Sequence, residues 1–462
     1  MLSFKIEKLP RVGLMDGVST GGVNVEPGKT SARAVIAAVL LGLSLPLAAI
    51  NNNVETTRPE SAPDSGSQLI PYAFFNADTG VAAAAVWLGK GYIQPQVLTV
   101  ANAWFGASGS YQLFWANTDI QLRFSDRLFI DSVFMYSDWD EVDTYQNGNP
   151  DFPDEISGGN DSDKDNFVEA EGDDLFGHVT LRYLFPIGDG RGDPIHTFNL
   201  ENGLPMPGSE AGGRDWNPLE SGRTTFEFRP FYRDQDFAEV DSGALYQNKT
   251  SGVKFTLDYN NTDWYNNPTR GTRQRLTVAR DWGLLDESST WTAIQFRHSQ
   301  FFNLGETSKA RQRVLAFDFW TSDVPTWNST SRNGDGEEVF HRAPLFEGST
   351  LGGLERQRAF PSNRFHDRSA VNYTAEYRYM PKWNPFPDIP LINTLHIPWW
   401  QWAGFVEVGR VADNWSFSDL HKKMKVSVGG SVRAMVYELV IRVDVGVSEE
   451  GSEIQMFFNH PF

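Results

Sequence analysis

The residues of this chain that could do chemistry are arginines and carboxylates rather than nucleophiles. Arg356, Arg358 and Arg364 lie close together in a long polar stretch, and Glu376 and Glu407 follow. Where water is scarce, a guanidinium and a carboxylate form a two-pronged, charge-assisted pair, which fastens segments without reacting. Other chemistries find less support. The chain has no cysteine, so thiol catalysis, disulfides and cysteine-held metals are excluded. Its eight histidines are scattered. His366 and Asp367 adjoin Ser369, but neighbours on an extended strand point to opposite faces. No nucleophile–base signature, phosphate-cradling loop or metal-ligand spacing is present, so the expectation is a non-enzyme with no cofactor and no metal. Asp138–Asp174 holds fourteen acids and one base, Lys164. Asp161-Ser-Asp163-Lys-Asp165 begins like a calcium loop, but Asn166 and Gly172 stand where that loop needs Gly and Glu. A solvated outer loop is the expectation, with weak divalent-ion binding as the other reading.

Composition narrows the class. With 59 acids against 40 bases, the net charge of −19 makes a poor clamp for nucleic acid. Aromatic residues reach 13 % beside 40 % hydrophobic content and 41 glycines, a balance that fits antiparallel β proteins, membrane barrels included.

The N-terminus reads as an export leader. Residues 34–50 are apolar apart from Ser44, with Lys29 and Arg33 ahead and Ala48-Ala49 behind Pro46. That is the charged, apolar, small-residue order of a signal peptide, here over residues 1–49 with a long n-region. A transmembrane helix is the alternative, although the run is short of the roughly 20 residues usually needed. Residues 50–68 read as a polar linker. No later run is long and apolar enough to span a bilayer as a helix, so a membrane-embedded body must be a closed barrel.

Alternation of period two supplies the barrel. Leu439, Ile441, Val443, Val445 and Val447 alternate with Arg442, Asp444 and Ser448. Val371, Tyr373, Ala375, Tyr377 and Tyr379 alternate with Asn372, Thr374, Glu376 and Arg378. A soluble sandwich would also alternate, but aromatic faces opposed to full charges favour lipid outside and a polar lumen inside. The expected fold is all-β: a transmembrane antiparallel barrel over residues 69–462. Its sixteen strands are expected near 69–75, 81–88, 96–106, 110–124, 127–138, 174–185, 223–233, 252–261, 272–283, 290–301, 310–321, 368–380, 400–412, 424–435, 438–448 and 453–460. Pro230 fits poorly inside its strand. Residues 186–222 are too long for an inner turn and read either as a cap or as an unrecognised strand pair near Ile195–Leu200.

Parity places Phe405, Glu407 and Gly409 on the lumen side, together with Glu376 and Arg378. Segment 322–367 is long enough to fold inward, which would bring Arg358 to Glu376 and Glu407. The bland alternative leaves Arg358 solvated on an outer loop.

Four pieces resemble the BamA/TamA family of outer-membrane proteins, the bacterial surface antigen barrels. They are Asp258–Asp263 with Asn267-Pro-Thr-Arg-Gly271; Leu351-Gly-Gly353 with Arg358-Ala-Phe360; Phe405-Val-Glu-Val-Gly409; and Arg442-Val-Asp-Val-Gly446 leading to His460-Pro-Phe462. Ala359 stands where the family has Gly, and Glu407 where it usually has Asp. The resemblance implies a long loop folded into the lumen and locked by Arg358, Phe360, Glu376, Phe405, Glu407 and Gly409. Ile454, Met456, Phe458, His460 and Phe462 share one face of the last strand, and the resemblance implies an assembly signal there carried by Ile454, Met456, Phe458 and Phe462. It also implies a role in inserting or transporting other outer-membrane proteins. The expected partners are outer-membrane lipids, the barrel assembly machinery, client proteins or a separate periplasmic partner, since residues 50–68 are too short for the family's periplasmic POTRA domains. A passive pore or structural surface barrel is the alternative function.

Overall fold

The computed structural model describes residues 55–59, 65–76, 79–285, 290–332, 338–390, 392–436 and 439–462. The expected leader lies outside them. Sixteen antiparallel strands form one sheet in chain order. They are β1 (Gly66–Asn76), β2 (Gly80–Lys90), β3 (Leu98–Gly106), β4 (Tyr111–Gln121), β5 (Leu128–Thr144), β6 (Val168–Leu184), β7 (Arg223–Glu239) and β8 (Leu245–Thr262). The second half comprises β9 (Gly271–Asp281), β10 (Trp291–Asn303), β11 (Ala310–Asp323), β12 (Ser369–Pro381), β13 (Trp400–Ala412), β14 (Lys425–Val436), β15 (Leu439–Val447) and β16 (Ser452–Phe458). Alternation finds all sixteen. It underestimates the pairs β5–β6 and β7–β8, because there Asp140, Glu141 and Asp143 run beside Glu169, Glu171 and Asp173. Where both faces of a strand are polar, no period-two signal survives.

Pro230 sits inside β7, in register with Val253 of β8, while bridges to β6 pass from Phe228 straight to Phe231. Having no N–H, proline interrupts one ladder without shifting its register.

Connections alternate between two ends of the barrel. One end carries the long segments 145–167 and 324–368. The opposite end carries segment 185–222, which is a cap that contains two short strands. His196–Glu201 pairs in parallel with Glu55–Pro59, inside the expected linker, and also pairs with Leu204–Pro205. Phe198, Leu200 and Ala211 of the cap join Trp264, Met380, Trp399, Met435 and Val440 in one core cluster. These barrel residues lie at strand ends, so apolar burial fastens the cap to that end. Both expectations for this segment thus hold in part: it caps, and it contains strands, but none of them enters the barrel wall.

Candidate functional site

The later part of segment 324–368 does not stay outside. Ser349–Leu351 pairs with Phe365–Asp367 as a small hairpin, and the residues between them descend into the lumen. Gly352 and Gly353, at φ +102° and +98°, turn the chain where an L side chain would be strained. Phe360 packs with Trp320, Leu351, Phe365, Ala370 and Val411, so wall strands β11, β12 and β13 all touch the loop.

The tip of this loop puts Arg358 among three carboxylates. Its Nε lies 2.9 Å from Glu407 Oε1, Nη1 lies 3.1 Å from Asp444 Oδ2, and Nη2 lies 2.9 Å from Glu376 Oε1. Its backbone N–H also donates to Glu407 Oε2 at 2.6 Å. The guanidinium stacks over Phe405, 3.7 Å from the ring centroid, which combines charge with cation–π attraction. Arg358, Glu376 and Glu407 have fully buried side chains. The network continues through the wall: Arg378 and Arg433 each lie 2.8 Å from Glu376, and Arg442 pairs with Asp444. In a buried network each removed member strands a charge, so such networks hold position more than they add stability.

Two wall glycines give the loop room, and a third gives room to Phe405. A Cβ at Gly409 would meet Gln357 Nε2 and Asn372 Oδ1 at 2.8 Å; one at Gly446 would meet Ala359 at 2.9 Å; one at Gly429 would run into the Phe405 ring and Val445 O. The structure thus brings Arg358, Glu376, Phe405, Glu407 and Gly409 together, with Phe360 in an adjacent apolar cluster. Arg433 and Gly429 were not singled out from sequence. Asp444 and Gly446 were named in the Arg442–Gly446 motif, and parity put Asp444 on the charged face, but not opposite Arg358, 86 residues away along the chain.

At the loop end, Arg364 joins three segments. It pairs with Glu450, and donates to Ser162 Oγ and Ser162 O at 2.8 Å. The acidic run therefore packs its own backbone onto the lumen loop. Among the described residues no cluster able to hold a metal ion is found.

The last strand departs from expectation. Ile454, Met456 and Phe458 do share the outer face, since Gln455 and Phe457 pair beside lumenal Asp444 and Arg442. Phe462 and His460 do not continue that face. Asn459 has φ 64°, and from there the chain turns into the lumen. His460 is buried 2.6 Å from Arg433, Pro461 O accepts from Arg297 Nη2 at 2.6 Å, and Phe462 stacks 6.0 Å from Phe301. A residue of left-handed backbone breaks the two-residue period, so reading parity through it puts Phe462 on the wrong side.

The two ends of the sheet do not pair. Among the described residues, the only strand laddered to β1 is β2, and the only one laddered to β16 is β15. They are joined by side chains instead. Ile70, Tyr72 and Phe74 of β1 share the lumen face with Val86, Val100 and Trp104. Met456 packs into the cluster of Phe74, Ala82 and Trp104, while Leu439 and Phe458 pack against Val86, Leu88 and Val100. Inner-face residues of the first strands therefore meet outer-face residues of the last two. The ends overlap like the edges of a scroll rather than abutting.

A sixteen-stranded antiparallel barrel with charged groups inside and apolar ones outside defines a barrel of the outer-membrane type. The Omp85 superfamily domain matches residues 219–459, just over half the chain, and the chain belongs to that superfamily. Among solved structures, it is similar to BamA from Haemophilus ducreyi lacking POTRA domains 1–3, at 13 % identity and TM-score 0.45, covering 86 % of this chain and 70 % of that one. It is also similar to CdiB from Escherichia coli, at 11 % identity and TM-score 0.48, covering 85 % and 61 %. CdiB from Acinetobacter baumannii matches at 10 % identity and TM-score 0.44, covering 85 % and 59 %. The chain spans less than two thirds of either CdiB chain. No curated protein matches it.

Proposed function

We propose that this protein sits in the bacterial outer membrane and passes or inserts client polypeptides at the seam between β1 and β16. The observation that carries this reading is the seam itself, overlapped and without a backbone ladder. Each unpaired strand edge can accept another strand by β-addition. Inside a bilayer an unpaired backbone group costs several kcal/mol, so this is the place where the wall opens with least loss. On this reading Arg358, Phe360, Glu376, Phe405, Glu407 and Gly409 hold the lumen loop as the fixed side of the device. Ile454, Met456 and Phe458 serve as the outward assembly signal, and Phe462 is anchored inside. Lipids, the assembly machinery and client barrels are the partners, with a periplasmic protein at the capped end. The role is not catalytic. A passive pore is the less favoured reading, because the loop occupies the lumen and the cap is fastened to one end.

A photo-crosslinker at Leu69, exposed on the edge strand β1, tests the proposal in living cells. Capture of newly made outer-membrane chains, together with their loss on depletion, is the expected result. No capture, with other barrels unaffected by depletion, would leave only the passive reading.

A further inference from the structure

The C-terminal tail brings a second set of groups into the lumen that the Arg358 tether does not use. Arg433 donates to His460 Nδ1 at 2.6 Å. A guanidinium can only donate, so Nδ1 is the acceptor and the neutral ring carries its proton on Nε2. That Nε2–H is buried and meets no acceptor among the described residues. Arg378 shares Glu376 with Arg433, the hydrogen-bond partner of His460. It gives its Nε to Glu376 at 2.8 Å, yet Nη1 and Nη2 are both buried with no acceptor among the described residues. Arg378 is fully buried, and its guanidinium lies 5.0 Å from the Phe462 ring and 5.2 Å from the Phe301 ring. Arg433, by contrast, is engaged through Nε with Ser431, through Nη1 with His460 and through Nη2 with Glu376.

Charge points the same way. Counting side chains alone, Arg358, Arg378, Arg433 and Arg442 face Glu376, Glu407 and Asp444, four cations against three anions. Arg378 carries two of the network's buried donors that lack a hydrogen-bond partner among the described residues, and Arg442 Nε is another. A guanidinium fork presents two parallel N–H groups that match two oxygens of one acid group. The imidazole N–H adds a third donor, and the two aromatic rings keep the place dry, which strengthens each contact.

We infer that Arg378 and His460 form a binding site for one small oxyanion, of the carboxylate or phosphate class, between the C-terminal tail and strand β12. A bound oxyanion would bridge the tail to the wall. It would thereby hold the end of β16 inside the barrel and keep the overlapped seam shut. This goes beyond the proposed function and does not depend on it.

The test uses the full chain folded in detergent at neutral pH. Sodium phosphate and sodium acetate are titrated separately against sodium chloride at constant ionic strength. Thermal unfolding is followed by tryptophan fluorescence, and release of Phe462 by a carboxypeptidase that cleaves Pro–X bonds is followed in parallel. The expected result is a saturable rise in Tm with slower Phe462 release, given by one or both oxyanions and not by chloride; which of them acts identifies the source. Arg378→Met should abolish the response. Since that variant could fail to fold, His460→Phe, which leaves every ion pair in place, is the second arm and should weaken apparent affinity by roughly tenfold. A third arm extends the chain by Gly-Ser to move its own carboxylate away, and should respond as the natural chain does. The inference is overturned by no saturable response beyond chloride, by an unchanged response in His460→Phe, or by a response confined to the extended chain.

Discussion

Gly446 lies directly beneath Ala359: a Cβ built at 446 would stand 2.9 Å from both the Cα and the Cβ of Ala359. The wall has no side chain at the point where the loop tip arrives. The two residues also explain how alanine is tolerated at 359. Among the loop's non-glycine residues, left-handed backbone falls on Gln357 (φ 54°) and Asn363 (φ 58°), and Ala359 is not among the positive-φ residues. The room needed at the tip is supplied from the opposite side, by the wall glycine.

Gly446→Val should therefore displace the tip. Overpacking of a close contact costs about 1–3 kcal/mol. The expected readings are a lower Tm and faster protease cleavage within residues 349–367. Ala359→Gly should leave cleavage unchanged and lower stability only by about 0.5–1 kcal/mol, through added freedom of the unfolded chain. Equal protease resistance in Gly446→Val would show that the tip does not rest there.

Arg358→Ala removes the shared partner of Glu376, Glu407 and Asp444. Breaking a buried pair by deleting one member costs about 3–5 kcal/mol. Denaturant unfolding should show that loss, and single-channel recordings should show a higher conductance as the loop loosens. Arg358→Lys keeps the charge but not the fork, and should recover only a minor part. A variant with ordinary stability and unchanged conductance would remove the tether role.

The cysteine-free sequence gives a clean test of the overlapped seam. Phe74→Cys with Met456→Cys places thiols within one side-chain cluster. A short bifunctional maleimide should join them in membranes, giving a band of altered mobility on gels. Pairing Val81→Cys with Met456→Cys should not cross-link, because Val81 is on the exposed outer face. Cross-linking of the second pair in preference to the first would contradict the overlap.

Docking of the acidic loop should weaken in acid. The backbone N–H of His366 donates to Gly158 O at 2.8 Å, which fastens segment 145–167 to the lumen loop. Burial pushes the His366 imidazole down from 6.5 to about 4, and the nearby Arg364 charge adds to the effect. Its folded value lies below its unfolded one, so the unfolded state takes up the proton first. The contribution is fully present above about pH 6.5, declines below it and is lost as pH falls through about 4. Limited proteolysis of residues 145–167 should therefore accelerate between those values, and His366→Gln should flatten the profile. A natural chain showing no acceleration in that window would refute the assignment.

Much of this was legible in the residues themselves. Strand positions such as 400–412 follow from alternation, because lipid on one side and a charged lumen on the other impose a strict two-residue period. The same period put Glu376, Phe405 and Glu407 inside. Parity also placed Asp444 with them, yet nothing in sequence said that Arg358 would meet all three, since that meeting joins a loop to three separate strands.

Where the period is broken, the sequence loses its authority. One left-handed residue, Asn459, sends His460 and Phe462 into the lumen although their spacing continues an outward row. The overlap of Met456 and Phe458 with Phe74 and Val86, and the cap built from residues 185–222, are likewise products of tertiary packing. Local patterning fixes which face of a strand is wet and which is dry. How the two ends of a long sheet meet depends on curvature summed over sixteen strands and on contacts between residues hundreds of positions apart, which no local pattern encodes.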